Sequence, residues 1–480
     1  MEIIDNRNHT LAVDFYELTM MNSYFKLGMQ NKQVVYDVFY RNNPDNGGYS
    51  IFCGLESIIK YIQNLRFTEN DINYLRSKKM FDEDFLQYLK NYKFTSSIYS
   101  MEEGQVMFPH EPIVTVVGNI MDAQLIETVM LNFVNHQSLI ATKASRIKQA
   151  AGNRMVMEFG ARRAHGIDAA EYGSRAAYIG GADAVAIASA EIKFGIKAVG
   201  TIAHAYVQAF GNDYDACLNL AKTYPNNVSY LLDTYDVINS GVPAVIRVNN
   251  EFLKPIGEYV KSVRLDSGDL AYLSKKVRKM LDEAGMQDTK IVVSNSLDEY
   301  TIEDLIRQKA PIDNFGIGEK LITSKSCPIL GAVYKLAEFE GKPRIKVSEN
   351  TEKITNPGHK KVYRLYDKES KKAIADVITK YDEKIDSSKP YEIFDPVYIW
   401  KKQIVENYEV KELQVPIFEN GKLVYEIPNI EEIKRNKEIQ KETLYDEITR
   451  FMNPHKYYVD LSKDLWFTKQ ELLQKAKSKK

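Results

Sequence analysis

The chain has 480 residues, long enough for two or three domains, and its 44% hydrophobic and 27% charged residues suit a globular protein with a substantial core. Its 64 Lys and Arg nearly cancel its 65 Asp and Glu, so no overall field selects nucleic acid or an anionic membrane, while a local cationic pocket stays open. Cys53, Cys217 and Cys327 lie far apart, with no CxxC and no zinc spacing, which points to a reducing compartment and no structural zinc. The start, MEIIDNRNHT, lacks the character of a signal or transit peptide, and no apolar run approaches bilayer length, so a cytoplasmic protein is expected.

In chain order, DFYELTMMNSYFKLG (14–28) has apolar residues at helical spacing, with Asp14 as N-cap and Gly28 as stop. VVYDVFYR (34–41) alternates like a strand, and NNPDNGG (42–48) is a turn-rich loop. From Arg154 to Gly318 the rhythm changes. Strands are expected at 154–160, 182–189, 196–204, 228–236, 261–269, 290–296 and 314–320, with helices over 168–181 and 269–285. Alternating β and α units imply a parallel sheet. Seven short units fit a closed or nearly closed barrel better than an open doubly wound sheet, although the two patterns read alike. Beyond residue 330, GAVYKLAEFE, GKPRIKVS and KKVYRLYD suggest an antiparallel element. A charged helix is expected over 430–452, and the KAKSKK end reads as frayed. The division expected is 1–136, an N-terminal α/β domain; 137–330, a catalytic β/α barrel; 331–396, a return segment; and 397–480, a helical or mixed extension.

In β/α barrels the C-terminal strand ends meet at the face that holds the active site. Here those ends carry Arg162, Arg163 and His165; Thr201 and His204; Asp233 and Asp236; Arg264, Asp266, Ser267 and Asp269; Ser294 and Asn295; and Gly316 and Gly318. Strand ends are often polar for solubility alone. This mixture nevertheless offers guanidinium groups and glycine-framed amides for phosphate, carboxylates for Mg²⁺, and one imidazole. RLDSGD (264–269) reads either as a salt-bridged loop capping the next helix at Asp269, or as an anion grip with carboxylates for a ribose or a magnesium ion. GIGEKLITS (316–324) can place backbone N–H groups around a phosphate, though it is not a P-loop. His204, after AVGTIA, has three readings: a buried hydrogen-bonded residue, a general base, or a nucleophile toward phosphorus, supported by Asp233 or Asp236.

EFGARRAHG (158–166), GGADAVAIASA (180–190), GTIAH (200–204), LLDTYD (231–236), RLDSGDL (264–270) and KITNPG (353–358) follow in this order after DFYELTM (14–20). Together they closely resemble the nicotinate phosphoribosyltransferase family, from about residue 9 to residue 365. The resemblance implies an irregular β/α (TIM-like) barrel, complete or incomplete, with an adjoining α+β domain built from the N-terminal and post-barrel segments, and a homodimer with composite sites. It implies that nicotinate and 5-phosphoribosyl 1-diphosphate give nicotinate mononucleotide and pyrophosphate in NAD salvage. ATP hydrolysis would be coupled, with Mg²⁺ present and a phosphohistidine intermediate.

By the same resemblance, His204 is the phosphorylated residue, with Asp233 and Asp266 beside it. Tyr16, Thr201 and Arg264 meet nicotinate, and Arg162, Ser294, Gly316, Gly318 and Thr355 meet the phosphoribosyl diphosphate. Asp266 and Asp269 are the carboxylates for Mg²⁺. Glu319 stands where many relatives have Thr or Ser, a poor neighbour for an anion. Two alternatives stay open: a nicotinamide phosphoribosyltransferase, and a catalytically silent nucleotide-binding barrel.

Overall fold

The computed structural model describes residues 7–350, 353–398 and 400–477. It is a mixed α/β protein whose described residues divide into two compact units: Lys143–Pro328, and residues 7–142 together with 329–477.

The first unit carries a six-stranded parallel sheet: β1 (Met155–Glu158), β2 (Ala184–Val185), β3 (Ser229–Leu231), β4 (Ser262–Leu265), β5 (Lys290–Val293) and β6 (Asn314–Ile317). Their order is β2-β1-β6-β5-β4-β3, with one further parallel bridge from Val185 to Ala198 beyond β2. β1, β5 and β6 each bury three residues in a row, as strands covered on both faces must. Met157, Ala184 and Val292 pack with Met155, Phe159 and Val199.

Of the closed or nearly closed barrel expected, the closed form is not met. Among the described residues no ladder joins β3 to the Ala198 edge. The strands expected at 182–189 and 196–204 shrink to two residues and a single bridge. At the first, the chain turns at Ile187 into the helix Ala188–Phe194. The helices expected at 168–181 and 269–285 form as Ile167–Gly180 and Leu270–Glu283, the second capped by Asp269, whose carboxylate accepts the Tyr272 N–H at 2.9 Å.

The second unit contains two main sheets. One has seven strands, among them Gln33–Phe39, which pairs antiparallel with Val333–Phe339 and with the central strand Val114–Asn119. The other has six, with Tyr458–Leu461 and Ala373–Lys380 at its middle and Lys360–Asp367 pairing antiparallel with the latter. The helix near the N-terminus runs Phe15–Lys26, and of GKPRIKVS only Lys342–Pro343 is strand. Residues beyond 397 are integral here: Gln414–Glu419 joins the first sheet beside Ser97–Met101, and Tyr458–Leu461 lies within the second, parallel to Ala373–Lys380. The helix expected over 430–452 stops at Glu442 and resumes as Asp446–Thr449. The final helix is Lys463–Lys477, so part of KAKSKK is helical and the rest lies outside the described residues.

Candidate active site

The ends of β3, β4 and β5 are held level by backbone hydrogen bonds past the strands. Leu232 N–H donates to the Arg264 carbonyl at 3.0 Å, and Ser294 N–H donates to the Leu265 carbonyl at 3.0 Å. This brings Asp233 and Thr234, Arg264 and Asp266, and Ser294 to one end of the sheet. Thr201 joins them from the segment after the Ala198 bridge, its hydroxyl accepting from Arg264 Nη1 at 2.5 Å.

His204 is the first residue of the helix His204–Phe210, so its ring is presented at a helix start rather than packed within the helix, and it is 39% exposed. Its Nδ1 lies 3.1 Å from Thr234 Oγ1, and its Nε2 lies 3.8 Å from Asp266 Oδ2. The hydrogen-bonding support comes from Thr234, not from Asp233 or Asp236. Asp236 instead caps the turn that follows it, accepting from the Ile238 and Asn239 N–H groups.

Asp266 is itself oriented. Its Oδ1 accepts from the Ser294 hydroxyl, while its N–H donates to Asp233 Oδ2 at 3.1 Å. The same Asp233 oxygen accepts from Ser267 at 2.5 Å. Within this cluster two buried polar atoms, Asp233 Oδ1 and Arg264 Nε, have no hydrogen-bond partner among the described residues. Burial pulls the Arg264 guanidinium below its ordinary range; Asp266 and Asp233 oppose the shift and the charge of Arg162 adds to it. Directly after Ser294, Asn295 and Ser296 have φ of 93° and 45°, left-handed conformations that side chains rarely adopt and that concentrate at functional sites.

The remaining expected residues fall into three groups. Arg162 is exposed on the turn Ala161–Arg163, close enough for its charge to reach Arg264. Gly316 has a packing reason: a Cβ there would stand 2.7 Å from the Phe159 ring. Gly318 precedes the short helix Glu319–Ile322, and Glu319, the awkward anion of that loop, is paired with Lys325 at 2.9 Å and Arg163 at 3.9 Å. Asp269 is exposed and caps a helix, the structural one of its two readings. Tyr16 and Thr355 belong to the second unit. Tyr16 is 46% exposed on the helix Phe15–Lys26, and the Thr355 hydroxyl, which is buried, accepts the Lys346 N–H at 3.0 Å.

Three contributors escaped the sequence reading: Thr234, Phe159 and Glu158. Glu158 is fully buried at the end of β1, accepting from Gly160 N–H and from the Ser174 hydroxyl at 3.0 Å, and burial pushes its carboxyl up to about 7. Thr234 lies past the strand end at Leu231, where strand alternation gives no signal. Among the described residues no three His, Cys, Asp or Glu side chains gather into a metal cage, and no helix is long and apolar enough to cross a membrane.

Three family models cover most of the chain. The nicotinate phosphoribosyltransferase N-terminal domain matches residues 11–135, the nicotinate phosphoribosyltransferase family residues 155–382, and the C-terminal domain residues 359–469. The chain is 44% identical to the nicotinate phosphoribosyltransferase of Bacillus subtilis, over 98% of this chain and 96% of that protein. The crystal structure of human nicotinic acid phosphoribosyltransferase superposes with a TM-score of 0.85 at 25% identity, covering 96% of this chain and 99% of the human one. That of the nicotinate-nucleotide pyrophosphorylase from Pyrococcus furiosus gives 0.71 at 26% identity, covering 92% and 98%. With the conjunction of His204, Arg264, Thr201 and Asp266 already in place, this likeness over nearly the whole length means that the chain belongs to the nicotinate phosphoribosyltransferase family.

Proposed function

We propose that this chain joins nicotinate to 5-phosphoribosyl 1-diphosphate, giving nicotinate mononucleotide and pyrophosphate, and consumes ATP through a phosphate carried on His204. The observation that carries the reading is the half-buried Arg264, bonded to Thr201 and left with an unpartnered Nε beside the His204–Asp266 pair. A guanidinium in that state is poised for an anion, and the carboxylate of nicotinate supplies one. Thr201 helps to fix its direction. The pyridine nitrogen is already nucleophilic, so the sugar transfer needs no strong base. It needs the ring held in line with C1′ and the leaving pyrophosphate stabilised. Arg162 and the backbone around Gly316–Gly318 are assigned to phosphate, and Ser294 acts by aligning Asp266. Tyr16 and Thr355 are assigned to the ring and to the phosphoribosyl group, with a homodimer completing the site.

For His204, a proton on Nδ1 donated to Thr234 leaves the Nε2 lone pair available. Nε2 attacks the γ-phosphorus of ATP, the bond to the β,γ-bridging oxygen breaks, and ADP leaves. Water later cleaves the phosphoimidazole to inorganic phosphate. The donor set around Asp233 and Asp266 suits Mg²⁺: the unpartnered Asp233 Oδ1 and the Asp266 carboxylate would hold the ion through oxygen, the donor type it prefers. When bound, the ion offsets negative charge on the phosphates. Asp269, expected as a second ligand, has one oxygen engaged as a helix cap. The strand order also supports the barrel reading: from β1 the chain order runs one way through β2 to Ala198 and the other through β6, β5, β4 and β3, a ring left open at one seam.

The test is product analysis after incubation with nicotinate, the ribosyl donor, Mg²⁺ and ATP, together with γ-labelled ATP. Nicotinate mononucleotide and acid-labile label on the parent, with no label on His204→Ala, are expected. Equal labelling of both would end the phosphohistidine reading, and absence of pyrophosphate release would favour a silent barrel.

A further inference from the structure

Within the second unit, the segment Thr355–Asn356–Pro357–Gly358 is held by few backbone bonds. Thr355 N–H reaches the Lys346 carbonyl at 3.4 Å, Gly358 N–H reaches the Ala337 carbonyl at 2.8 Å, and Pro357 has no N–H to give. Thr355, Pro357 and Gly358 are buried, yet a void adjoins them. A cavity of about 250 Å³ is lined on one side by Pro357, Gly358 and His359, and on another by Leu465 and Thr468 of the final helix. From that helix, Lys469 extends to the loop and donates to Asn356 Oδ1 at 2.9 Å.

Lys469 is only 4% exposed. A lysine ammonium is rarely taken out of water for a single neutral acceptor, because the lost hydration exceeds one hydrogen bond. Burial accordingly draws its amine down to about 8, against the opposing charge of Asp395. Its charge is also felt by His110, an imidazole pushed down to about 4 by burial, then by Lys469, Lys456 and Arg41. His110, Thr355 and Asn356 line one small cavity together with Asp37 and Lys360. The side chain that ties down Asn356 therefore also brings positive charge to the place where Thr355 sits.

We infer that Lys469 is a positioning residue for the ribosyl donor: by gripping Asn356 it fixes the loop that presents Thr355, so the C-terminal helix sets donor affinity. This rests on the phosphoribosyl role proposed above for Thr355. Lys469 acts through Asn356 and touches no reacting atom.

Steady-state kinetics on Lys469→Met, Asn356→Ala and the double variant test it. The donor KM is expected to rise about tenfold in each single variant, the loss of one charge-assisted hydrogen bond. The double variant should add no more than about twofold to either, because both changes break the same link. kcat and the nicotinate KM should stay within about twofold of the parent. A donor KM at the parent value in Lys469→Met, or effects that multiply in the double variant, would overturn the inference. Should Lys469→Met fail to fold, Asn356→Ala decides alone, since an unchanged donor KM there removes the proposed link. If the unaltered protein makes no mononucleotide, the functional reading falls and takes this inference with it; turnover by the parent with unchanged variants overturns the inference alone.

Discussion

Arg264 and Arg364 occupy different units and show two uses of one side chain. Arg364 is 0% exposed. It donates to both oxygens of Asp376, at 2.8 and 2.6 Å, to the Val106 carbonyl at 3.0 Å, and to Gln440 at 3.4 Å. Its guanidinium lies 5.2 Å from the centre of the Phe108 ring. Burial opposes its charge, yet Asp376 outweighs burial and holds it firmly protonated. Arg264 is half-buried, but it has one hydroxyl partner and an orphaned Nε, and burial leads its shift. A structural arginine has its donors met from within; a binding arginine keeps donors in reserve for a ligand.

The contrast can be broken in three ways. The largest effect belongs to Arg364→Met. It leaves the Asp376 carboxylate buried with Tyr457 but no cation, so a loss of about 3–5 kcal/mol is expected in chemical unfolding. A loss below about 1 kcal/mol would mean that the network is not structural.

Next is Glu158, a buried carboxyl held by two hydrogen bonds, from the Gly160 N–H and the Ser174 hydroxyl. Its folded value of about 7 lies above the ordinary 4.5, so the fold binds a proton that the unfolded chain has already released. Its contribution to stability is full below about 4.5 and declines as pH rises to about 7. Glu158→Gln cannot ionise. The stability of the variant relative to the parent should therefore shift in its favour by about 3 kcal/mol between pH 4.5 and pH 8, at about 1.4 kcal/mol per pH unit. A difference independent of pH would show that Glu158 is ionised throughout. The smallest effect is that of Thr201→Val, which removes the acceptor from Arg264 Nη1: about a fivefold rise in the nicotinate KM, with thermal stability unchanged.

Much of this was readable before folding. The helices Ile167–Gly180 and Leu270–Glu283 were plain from periodicity, and the position of His204 at a helix start was plain from the glycine and threonine before it. The polar residues past three strand ends do converge with Thr201 and His204 from the segment after the Ala198 bridge. What sequence alone misjudged is reach and direction. Runs such as ADAVAIAS look like full strands, yet only Ala184–Val185 pairs, because pairing depends on neighbours and not on apolar content. Asp233 seemed the natural support for His204, since a carboxylate is the stronger partner. The backbone gives that role to its neighbour Thr234, while Asp233 accepts from the loop after β4. The burial of Glu158, and the role of Gly316 in admitting the Phe159 ring, are tertiary facts with no local signal.

The preference between nicotinate and nicotinamide, measured by competition in one turnover assay on the parent and on Arg264→Ala, tests the held-in-reserve guanidinium most directly. The parent should favour the acid by about a hundredfold or more, and Arg264→Ala should lose most of that preference while melting at or above the parent temperature. An undiminished preference for the acid in Arg264→Ala would contradict the account.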